Sequence, residues 1–515
     1  MPQETELKLA LHPRDAERLL AHPLMSGLPR AGQRLFNTYF DTPELALRDA
    51  RLALRERRVG GRSLLTVKTS GSTVGGLSQR GEWEVPKPRG RIDFSRVVDE
   101  PALAAALQDW APRLRAVFRT DFVRRAMVVE HAGARIELAF DDGHIGVGSG
   151  RRVRRERLLE VELELLDGPV DALLDLAHTL VLGPEGQTAG ALHLHPEPRS
   201  KAERGYALFA GQAAMPRRAA PLELARDMTV REAFQAASLA CLTHLQANEA
   251  ESRALAHLPP AAAPLPDPEF VHQLRVALRR LRTGLRLFRD HLPRRWVLHW
   301  SAHWKGLADT LGTARNWDVF ATEWLPERLP ETDTRAATQA LRAWVAGQRR
   351  EANLAVARAL ADPAHALALL AFTRSVFALP APRARVNLPR WAVATLRQGH
   401  ARLREQARDA RRLGPDGRHE LRLALKKLRY TQEFLNSLLA PKRAARSTAT
   451  LADAQTLLGE LNDLSTAQVL LQQVPATLAP ALVATLQAGL LAQLEAGLLA
   501  LPTMETALER SPLPW

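Results

Sequence analysis

The 515-residue chain is predicted to be an α+β protein of several domains, with a β-rich first part and an all-helical second part. The length exceeds what one hydrophobic core usually supports, so at least two domains are expected. Short strands separated by turns run to about residue 206, and leucine and alanine recur at helical spacing from residue 229. We therefore expect a first domain over 1–206, a linker over 207–226 and a helical domain over 227–505, with halves near 227–380 and 385–505.

The first domain is predicted to be antiparallel, because its apolar segments are short and turn residues separate them. Turns are expected at Gly60-Gly61, Gly75-Gly76, Ala132-Gly133 and Asp142-Gly143. Many antiparallel strands at this spacing predict a barrel or a sandwich. The predicted strands are Thr5–Leu11, Arg34–Phe40, Arg51–Val59, Ser63–Thr69, Arg80–Val85, Phe118–Glu130, Ala134–Phe140 and Arg157–Leu166, with flanking helices at Pro13–Ala21, Pro101–Trp110 and Val170–Leu182.

The helical part contains an internal repeat. The segment from His272 to Arg282 aligns with the segment from His419 to Arg429, an offset of 419 − 272 = 147 residues. The dipeptides Leu311-Gly312 and Leu458-Gly459 share this offset, since 459 − 312 = 147. Two separate signatures with one offset indicate a duplicated helical unit.

The charge balance points to an anionic partner. The formal net charge is +15 and the sequence pI is about 10.8. Of the 71 basic residues only eight are lysines, so 63 are arginines, whose planar fork fits phosphate. The alternative is that the arginines occupy solvated helix faces. The single cysteine, Cys241, excludes an internal disulfide framework and a cysteine-based zinc site.

One segment raises the question of a membrane span. Leu464–Leu494 has no charged residue, but it contains five glutamines and two prolines among its alanines and leucines. We interpret it as packed helices and expect no membrane span. The N-terminal segment has no apolar core of the signal-peptide type, so a cytoplasmic protein is expected.

Acidic residues alternate along two of the predicted strands. Glu4, Glu6 and Lys8 share one strand face, because successive side chains point to opposite faces. Another strand places three carboxylates on one face, and these repel each other unless they are solvated, paired or bound to a cation. They are Glu160, Glu162 and Glu164.

Basic residues on other strands complement these carboxylates. Arg55 and Arg57 alternate on one strand, Lys68 ends the next, and Arg80 alternates with acids on a third. If these faces turn inward in a closed barrel, they form a tunnel suited to a hard divalent cation bound with a phosphate chain. The alternative is an open sheet whose charged face is exposed to solvent. Five such strands have an apolar opposite face that must be buried against another part of the protein, which argues against an open sheet.

The ordered motifs of residues 1–206 resemble the CYTH domains, or triphosphate tunnel metalloenzymes. This family includes inorganic triphosphatases, thiamine triphosphatases and class IV adenylate cyclases. The resemblance is carried by Glu4-x-Glu6-x-Lys8, Arg55-x-Arg57, Thr-x-Lys68, Arg80-x-Glu82-x-Glu84, Phe-Asp141-x-Gly, Glu160-x-Glu162-x-Glu164 and Ser200-Lys201-x-x-Arg204.

This resemblance implies an eight-stranded antiparallel tunnel and a set of site roles. Glu4, Glu6 and one or more of Glu160, Glu162 and Glu164 would hold Mg²⁺ or Mn²⁺, with Glu164 assigned to the metal. Glu160 or Glu162 would position the attacking water, and the sequence leaves open which carboxylate has which role. Asp141 would orient a basic neighbour, and Lys8 is assigned to the catalytic group. Arg119 and Arg124 differ in strand parity, so both point inward only across a β-bulge. The residues expected to grip phosphate are Lys8, Arg55, Arg57, Lys68, Arg80, Arg119, Arg124 and Lys201.

The repeated helices carry basic stripes. In the first copy His272, Arg275, Arg279, Arg282 and Arg286 lie at i, i+3, i+7, i+10 and i+14, on one side of a helix. Stacked arginines repel unless an anion lies between them, although a solvated basic face is the alternative. The stripe of the second copy consists of His419, Arg422, Lys426 and Arg429.

Residues 229–499 resemble the CHAD domain, the conserved histidine α-helical domain. The carriers are the two basic helices, the segment Leu-Gly312-x-x-Arg315-Asn-x-Asp318 and its cousin Leu-Gly459-x-x-Asn462-Asp463. That family folds as two pseudo-symmetric four-helix bundles and binds inorganic polyphosphate in a basic channel. Polyphosphate ligands are therefore expected on both stripes and at Arg315. Asn316 and Lys426 stand where Asp and Arg are expected.

Nucleic acid is considered a poor partner, because single-strand binders interleave aromatic stacking residues and aromatics make up 5% of this chain. The sequence thus predicts hydrolysis of inorganic triphosphate to diphosphate and phosphate, together with polyphosphate binding and possible association with polyphosphate granules. One alternative is a non-catalytic polyphosphate-targeting protein. The other is a triphosphatase or cyclase acting on a nucleotide or thiamine triphosphate. The sequence leaves open the oligomeric state.

Overall fold

The computed structural model describes residues 3–69, 71–74, 77–148, 150–211, 213–259, 264–330, 332–333, 335–380, 386–408 and 410–515. They form two compact units. The first comprises Met1–Met215 and Ala361–Ala378, and the second comprises Pro216–Leu360 and Leu379–Trp515. Residues 361–378 fall within the sequence range predicted for the helical domain, yet they pack in the first unit.

The secondary structure follows the predicted division into a β-rich and a helical part. The strands are β1 Gln3–Leu11, β2 Gln33–Asp41, β3 Leu52–Val59, β4 Arg62–Thr69, β5 Ser72–Val74, β6 Leu77–Pro86, β7 Arg115–His131, β8 Ala134–Val147, β9 Arg154–Asp167 and β10 Leu194–Pro196. The helices are α1 Ala16–Leu20, α2 Ala46–Asp49, α3 Pro101–Trp110, α4 Asp171–Leu182, α5 Lys201–Ala210, α6 Val230–Ala254, α7 Pro268–Leu287, α8 Arg294–Val319, α9 Leu325–Arg328, α10 Ala336–Ala361, α11 Pro363–Phe377, α12 Leu388–Ala407, α13 Pro415–Leu435, α14 Pro441–Leu471, α15 Pro480–Leu498 and α16 Leu501–Arg510.

Eight antiparallel strands close into a barrel, which confirms the predicted tunnel. Their order is β1-β9-β8-β7-β2-β3-β4-β6, and β6 pairs again with β1. Closure leaves no open edge among these eight strands, and it separates an inner from an outer face. The short strands β5 and β10 extend the sheet beside β6 and β1.

Of the four predicted turns, two are confirmed, one is wrong, and Gly75-Gly76 lies outside the described residues. The pairs Gly60-Gly61 and Ala132-Gly133 have positive φ at both positions, as tight two-residue hairpins require. Asp142-Gly143 instead lies inside β8, which continues pairing with β7 and β9 to Val147. A Cβ at Gly143 would lie 2.4 Å from the Cα of Phe122, so this glycine permits close approach of β7 rather than a turn.

The outer face of the barrel packs against helices α4 and α11. Outward-facing leucines of β1, including Leu7 and Leu9, join a core with the apolar face of α4. Ala366, Leu367 and Leu370 of α11 belong to the same core. Because apolar side chains cover the outside of β1, the charged side chains at alternate positions must face the barrel interior.

The second unit repeats a set of four helices, as predicted. Helices α7 and α13 begin 415 − 268 = 147 residues apart, and α8 and α14 begin 441 − 294 = 147 residues apart. The sets are α6, α7, α8 and α10, and then α12, α13, α14 and α15. At the end of α8, a π-helical turn spans Phe320–Trp324.

The long uncharged segment is helical, but it is less packed than predicted. In α15 the buried residues are Leu486 and Leu490. By length and composition Pro480–Arg510 could cross a membrane, with 31 residues and a mean hydropathy of 1.4 in its most apolar window, of which 11% is buried.

Candidate functional site

Charged side chains line the barrel interior from opposed positions on neighbouring strands. Glu6 lies opposite Glu164, and Lys8 opposite Glu162, where β1 pairs with β9. Both Glu6 and Lys8 are buried, although their side chains are charged. Burial of charges requires compensation by opposite charges or hydrogen bonds, and the interior provides both.

One group of interior charges consists of three carboxylates around a lysine. The Nζ atom of Lys201 lies 2.8 Å from Asp141, 2.5 Å from Glu160 and 2.7 Å from Glu162. Oxygen atoms of the three carboxylates all lie within 4.8 Å of one another. The ammonium therefore already occupies the centre to which these oxygens point.

Helix α5 holds Lys201 in place. The Ser200 hydroxyl accepts a hydrogen bond from the Glu203 amide, and the Ser200 amide donates to the Glu203 carboxylate, which fixes the start of the helix. Three residues after Lys201, Arg204 donates a 2.9 Å hydrogen bond to Glu160. Arg204 was absent from the predicted site residues, although its spacing from Lys201 puts both on one helix face.

Arg124 joins this group, whereas Arg119 does not. Arg124 donates two parallel hydrogen bonds to Asp141, at 2.8 and 2.7 Å, and also contacts Glu162. The pairing of β7 with β2 and with β8 continues without a bulge between Arg119 and Arg124. Arg119 therefore faces outward, and its side chain is exposed. The phosphate-binding role predicted for Arg119 in the tunnel is corrected accordingly.

The pKa values of this group follow from its close packing. Burial raises the pKa of Glu160, and the neighbouring Glu162 adds to the effect. Burial acts in the same direction on Glu162, but Lys201 and Arg124 outweigh it and hold the pKa of Glu162 well below its usual range. Although burial opposes it, the three carboxylates raise the pKa of Lys201.

A second group surrounds the carboxylates of β1. Lys8 lies 2.6 Å from Glu6. Lys68 and Arg80 lie 2.9 and 3.0 Å from Glu4, and Arg80 also contacts Glu6. All five residues had been predicted as site residues, and the barrel brings them together from three strands.

Arg55 and Arg57 form a third group on β3. Arg55 lies 3.5 Å from Glu82, and Arg57 lies 3.7 Å from Glu84. Arg57 also donates a 3.1 Å hydrogen bond to the Asn37 side chain. Burial and the adjacent Arg55 lower the pKa of Arg57 to about 10. The long ion-pair distance leaves the Arg57 guanidinium incompletely neutralised. Burial also acts to lower the pKa of Arg55, but Tyr39 and Glu82 outweigh it and raise that pKa.

Glu164 is the carboxylate best suited to a divalent cation. Burial, with the nearby Glu4 and Glu137, raises its pKa to about 7. Among the described residues no ion pair involves Glu164. Clustered carboxylate oxygens that lack a compensating cation are the donors that Mg²⁺ and Mn²⁺ prefer. Of the predicted metal set, only Glu164 lacks an ion pair in the described part of the chain. Glu4 is paired with Lys68 and Arg80, and Glu6 with Lys8 and Arg80, as the carboxylates around Lys201 are paired with that lysine. A cation that bound Glu4 and Glu6 would therefore have to replace these basic groups.

The helical unit contains a basic cavity of about 250 Å³. Seven of the ten residues predicted to bind polyanion line it, namely His272, Arg275, Arg279, Arg315, Arg422, Lys426 and Arg429. Arg282, Arg286 and His419 lie outside its lining. At 1.5 Å per residue, Arg286 is about 21 Å along α7 from His272, so the predicted stripe extends beyond the cavity.

Aromatic residues also line the cavity, which the sequence did not predict. They are Phe320, Trp324 and Tyr430, and the first two come from the π-helical turn. Their rings are 2–6% exposed, so they form an apolar wall beneath the charges. A nucleobase would need an open ring face for stacking, and these rings do not offer one.

The cavity differs from the barrel in having few carboxylates. Burial and Arg279 lower the pKa of Arg275 and Arg422 to about 10 and that of Lys426 to about 6. Asp463 is the acidic residue in the lining. Buried Nε atoms of Arg422 and Arg429 have no hydrogen-bond partner in the described part of the chain.

Comparison with known proteins finds similarity over both units. A model of the CYTH domain matches residues 2–204, and a model of the CHAD domain matches residues 236–472. An inorganic triphosphatase of Haemophilus influenzae is 33% identical over 221 residues, which cover 41% of this chain and 56% of that protein. The match thus spans little more than half the length of that relative.

Solved structures resemble one or the other part. The CHAD domain from the plant Ricinus communis is 28% identical and covers 59% of this chain and 99% of its own, with a TM-score of 0.49. PptA from Streptomyces chartreusis is 19% identical over 54% of this chain and 100% of its own, with a TM-score of 0.40. A Hippeastrum protein described as a putative adenylyl cyclase with a dominant triphosphatase activity is 21% identical over 41% of this chain and 98% of its own, with a TM-score of 0.29. From the two matched domain models, the chain is a CYTH–CHAD protein, with a CYTH domain over residues 2–204 and a CHAD domain over residues 236–472.

Proposed function

We propose that the barrel hydrolyses inorganic triphosphate to diphosphate and phosphate with the help of Mg²⁺ or Mn²⁺. One observation carries the proposal. Seven basic side chains from six elements converge with carboxylates inside a closed barrel, and they are Lys8, Arg55, Arg57, Lys68, Arg80, Arg124 and Lys201. Such an interior fits a short, densely charged phosphate chain better than any neutral ligand.

The basic residues of the barrel are expected to contribute to phosphate binding in different ways. Arg55 and Arg57 have the longest ion-pair distances to carboxylates, so we expect phosphate oxygens to bind to them first. Lys68 and Arg80 contribute as their bonds to Glu4 are exchanged for bonds to substrate. Phosphoryl transfer requires mostly placement and stabilisation of charge, which these groups supply without covalent chemistry.

Of the two candidate water-positioning carboxylates, Glu162 is the better placed. Its side chain is 13% exposed, whereas that of Glu160 is 1% exposed. Both carboxylates contact Lys201, and Glu160 is also bound by Arg204 and Glu162 by Arg124, so the difference lies in access to solvent. A water held by Glu162 would attack the terminal phosphorus, and the bridging P–O bond would break. Diphosphate leaves with the bonding electrons, and the water proton passes through the carboxylate to solvent. Glu160 then serves to position Lys201.

Glu4, Glu6 and Glu164 would hold the divalent ion. When bound, such an ion neutralises phosphate charge and orients the chain. Without it, Glu164 faces neighbouring carboxylates at a cost in electrostatic energy, as its raised pKa indicates. The proposed ion is Mg²⁺ or Mn²⁺.

Phosphate release from inorganic triphosphate, ATP and thiamine triphosphate tests this function, with Mg²⁺, with Mn²⁺ and with EDTA. We expect metal-dependent release that is fastest with inorganic triphosphate. Faster release from ATP or thiamine triphosphate would reassign the substrate, and formation of cyclic AMP would make the domain a cyclase. If no metal-dependent release occurs, the alternative of a non-catalytic binding protein stands.

Two arginines on the same strand provide a matched comparison. Arg124→Ala removes a side chain that contacts two interior carboxylates, and it should lower turnover by at least about 100-fold. Arg119→Ala changes an exposed side chain of the same strand and should leave turnover unchanged. Equal losses in both variants would contradict the inward assignment.

We further propose that the helical cavity binds inorganic polyphosphate. Seven basic side chains around one cavity, with one acidic residue in the lining, favour a linear polyanion. The covered aromatic rings argue against single-stranded nucleic acid. The proposed location is the cytoplasm, with association with polyphosphate granules through this cavity.

Charge-reversal variants test whether polyphosphate binds in the cavity or along the whole basic stripe of α7. Arg279→Glu with Arg422→Glu should abolish retention of inorganic polyphosphate and spare triphosphate hydrolysis. Arg282→Glu with Arg286→Glu makes the same charge change on α7 outside the cavity lining, and it should retain most binding. Equal loss in both double variants would place the site along the whole stripe instead.

A further inference from the structure

Lys426 is the single lysine among the described residues that line the cavity. The other basic groups of the lining are arginines and one histidine. The position equivalent to Lys426 in the first repeat is residue 426 − 147 = 279, which is an arginine. Arginine stays charged in proteins, whereas lysine loses its proton readily when it is buried among like charges.

The surroundings of Lys426 disfavour its charged form. The residue is 8% exposed, and no ion pair with it occurs in the described part of the chain. The charged groups that act most strongly on it are Arg275 and Arg279 of α7, Arg422 of its own helix and Asp463 of α14. The same cavity is also lined by Arg315 of α8 and Arg429 of α13. Burial, then Arg279, Arg422 and Arg275, lower the pKa of Lys426 to about 6, and Asp463 opposes this only in part.

His272 lies in the same cavity and responds to similar groups. Burial and Arg315 of α8 lower its pKa, Arg279 and Arg275 act in the same direction, and Glu269 opposes them. At neutral pH the empty cavity therefore presents its arginine charges together with a neutral amine and a neutral imidazole. A dense anion placed among these groups would restore the charged forms, because an opposite charge nearby favours protonation.

We propose that Lys426, with a smaller contribution from His272, couples anion binding in the cavity to proton uptake, so that the cavity binds inorganic polyphosphate more tightly as the pH falls. The inference rests on the proposed polyphosphate binding and specifies its regulation. Thermodynamic linkage between proton binding and anion binding determines the direction of the pH dependence. A group that is protonated in the complex and neutral in the free protein takes up a proton on binding, and the affinity then falls as the pH rises.

Isothermal titration with inorganic polyphosphate of defined length tests the coupling in the full-length protein. Two buffers with different ionisation enthalpies at each pH give the number of protons taken up. For the wild type we expect uptake of about one proton per site at pH 7.5, and a dissociation constant that rises by up to about tenfold per pH unit between pH 6.5 and 8.

Lys426→Arg is the deciding variant, because it keeps a positive charge that does not titrate in this range. It should bind polyphosphate at every pH and lose most of the proton uptake, while the far-UV circular dichroism stays unchanged. Titration of the polyphosphate itself would contribute equally to both proteins and cancels in the comparison. His272→Gln should remove the smaller part of the uptake.

The outcomes separate the two proposals. Equal proton uptake by wild type and Lys426→Arg would overturn the coupling and leave polyphosphate binding in place. Binding without any proton uptake would do the same. Absence of binding by the wild type at every pH would overturn the proposed binding function, and the coupling with it.

Discussion

The barrel and the helical cavity both concentrate basic side chains, yet they differ in how those charges are balanced. In the barrel, carboxylates lie within hydrogen-bonding distance of Lys201, Arg124 and Arg80, and the pKa of each rises although burial opposes it. In the cavity, carboxylates are scarce, and the pKa values of Lys426 and Arg275 fall.

This difference indicates two ways to prepare a site for a polyanion. The barrel holds its cations in fixed geometry by pairing them, which suits a reaction that depends on placement. In the cavity Arg315 pairs with Glu323, but Lys426, Arg275 and Arg422 have no ion pair in the described part of the chain, so their mutual repulsion would be relieved by a bound anion. Removal of a basic side chain should therefore destabilise the barrel and stabilise the ligand-free helical unit.

The largest effect is expected for Lys201→Met. The change leaves three buried carboxylates around an apolar group, and breaking a buried ion pair costs about 3–5 kcal/mol. Phosphate release should fall by at least about 100-fold, and the melting temperature of the barrel should fall. Lys87→Met is the matched control, since the Lys87 side chain is 39% exposed and pairs with Glu56. Equal effects in the two variants would contradict the central position of Lys201.

The next largest effect is expected for Glu164→Gln, which should weaken the binding of the metal ion. The amide removes a charge from the predicted ligand set without changing the size of the side chain. We expect the Mg²⁺ concentration for half-maximal activity to rise by at least about tenfold. EDTA should abolish activity in wild type and variant alike, and excess Mg²⁺ should restore much of it. An unchanged Mg²⁺ requirement would move the metal to other carboxylates. Glu130→Gln, which alters an exposed carboxylate, is the control.

Much of the barrel could be predicted from the sequence because strand geometry has a strict period of two. Once β1 and β9 are recognised, parity alone puts Glu4, Glu6 and Lys8 on one face and Leu7 and Leu9 on the other. The same rule shows why Arg119 was misplaced, since an inward Arg119 needed a bulge that β7 lacks in this interval.

Other features depend on contacts between distant segments, which local patterns do not encode. The packing of α11 in the barrel unit brings residues 361–378 beside a core whose other members all precede residue 195. Likewise, Phe320 and Trp324 line the cavity because α8 and its π-helical turn meet α7, α13 and α14 there. The repeat offset located the basic helices, but the offset could not show which part of each stripe meets the cavity.

The opposite response of the helical unit can be tested with Lys426→Met. The variant removes a buried amine that loses its proton on folding and adds an apolar side chain of similar length. We expect the ligand-free protein to gain about 1–2 kcal/mol in the free energy of unfolding of the helical unit at pH 7. Urea unfolding followed by tryptophan fluorescence reports this unit, since eight of the ten tryptophans lie within 216–360 and 379–515. Arg124→Gln in the barrel should instead lower the melting temperature. A loss of stability in Lys426→Met would show that the cavity does not store repulsion.

The stability of the helical unit should also depend on pH. Because the folded-state pKa of Lys426 is about 6 and the ordinary value is 10.5, the folded protein binds fewer protons than the unfolded chain between these values. Stability therefore rises with pH through this window, by at most about 1.4 kcal/mol per pH unit from this group. Urea unfolding at pH 6.5, 7.5 and 8.5 should show the wild type approaching Lys426→Met as the pH increases. A constant difference between the two proteins would mean that Lys426 keeps its proton in the folded state, and the cavity would then carry its full charge before any anion binds.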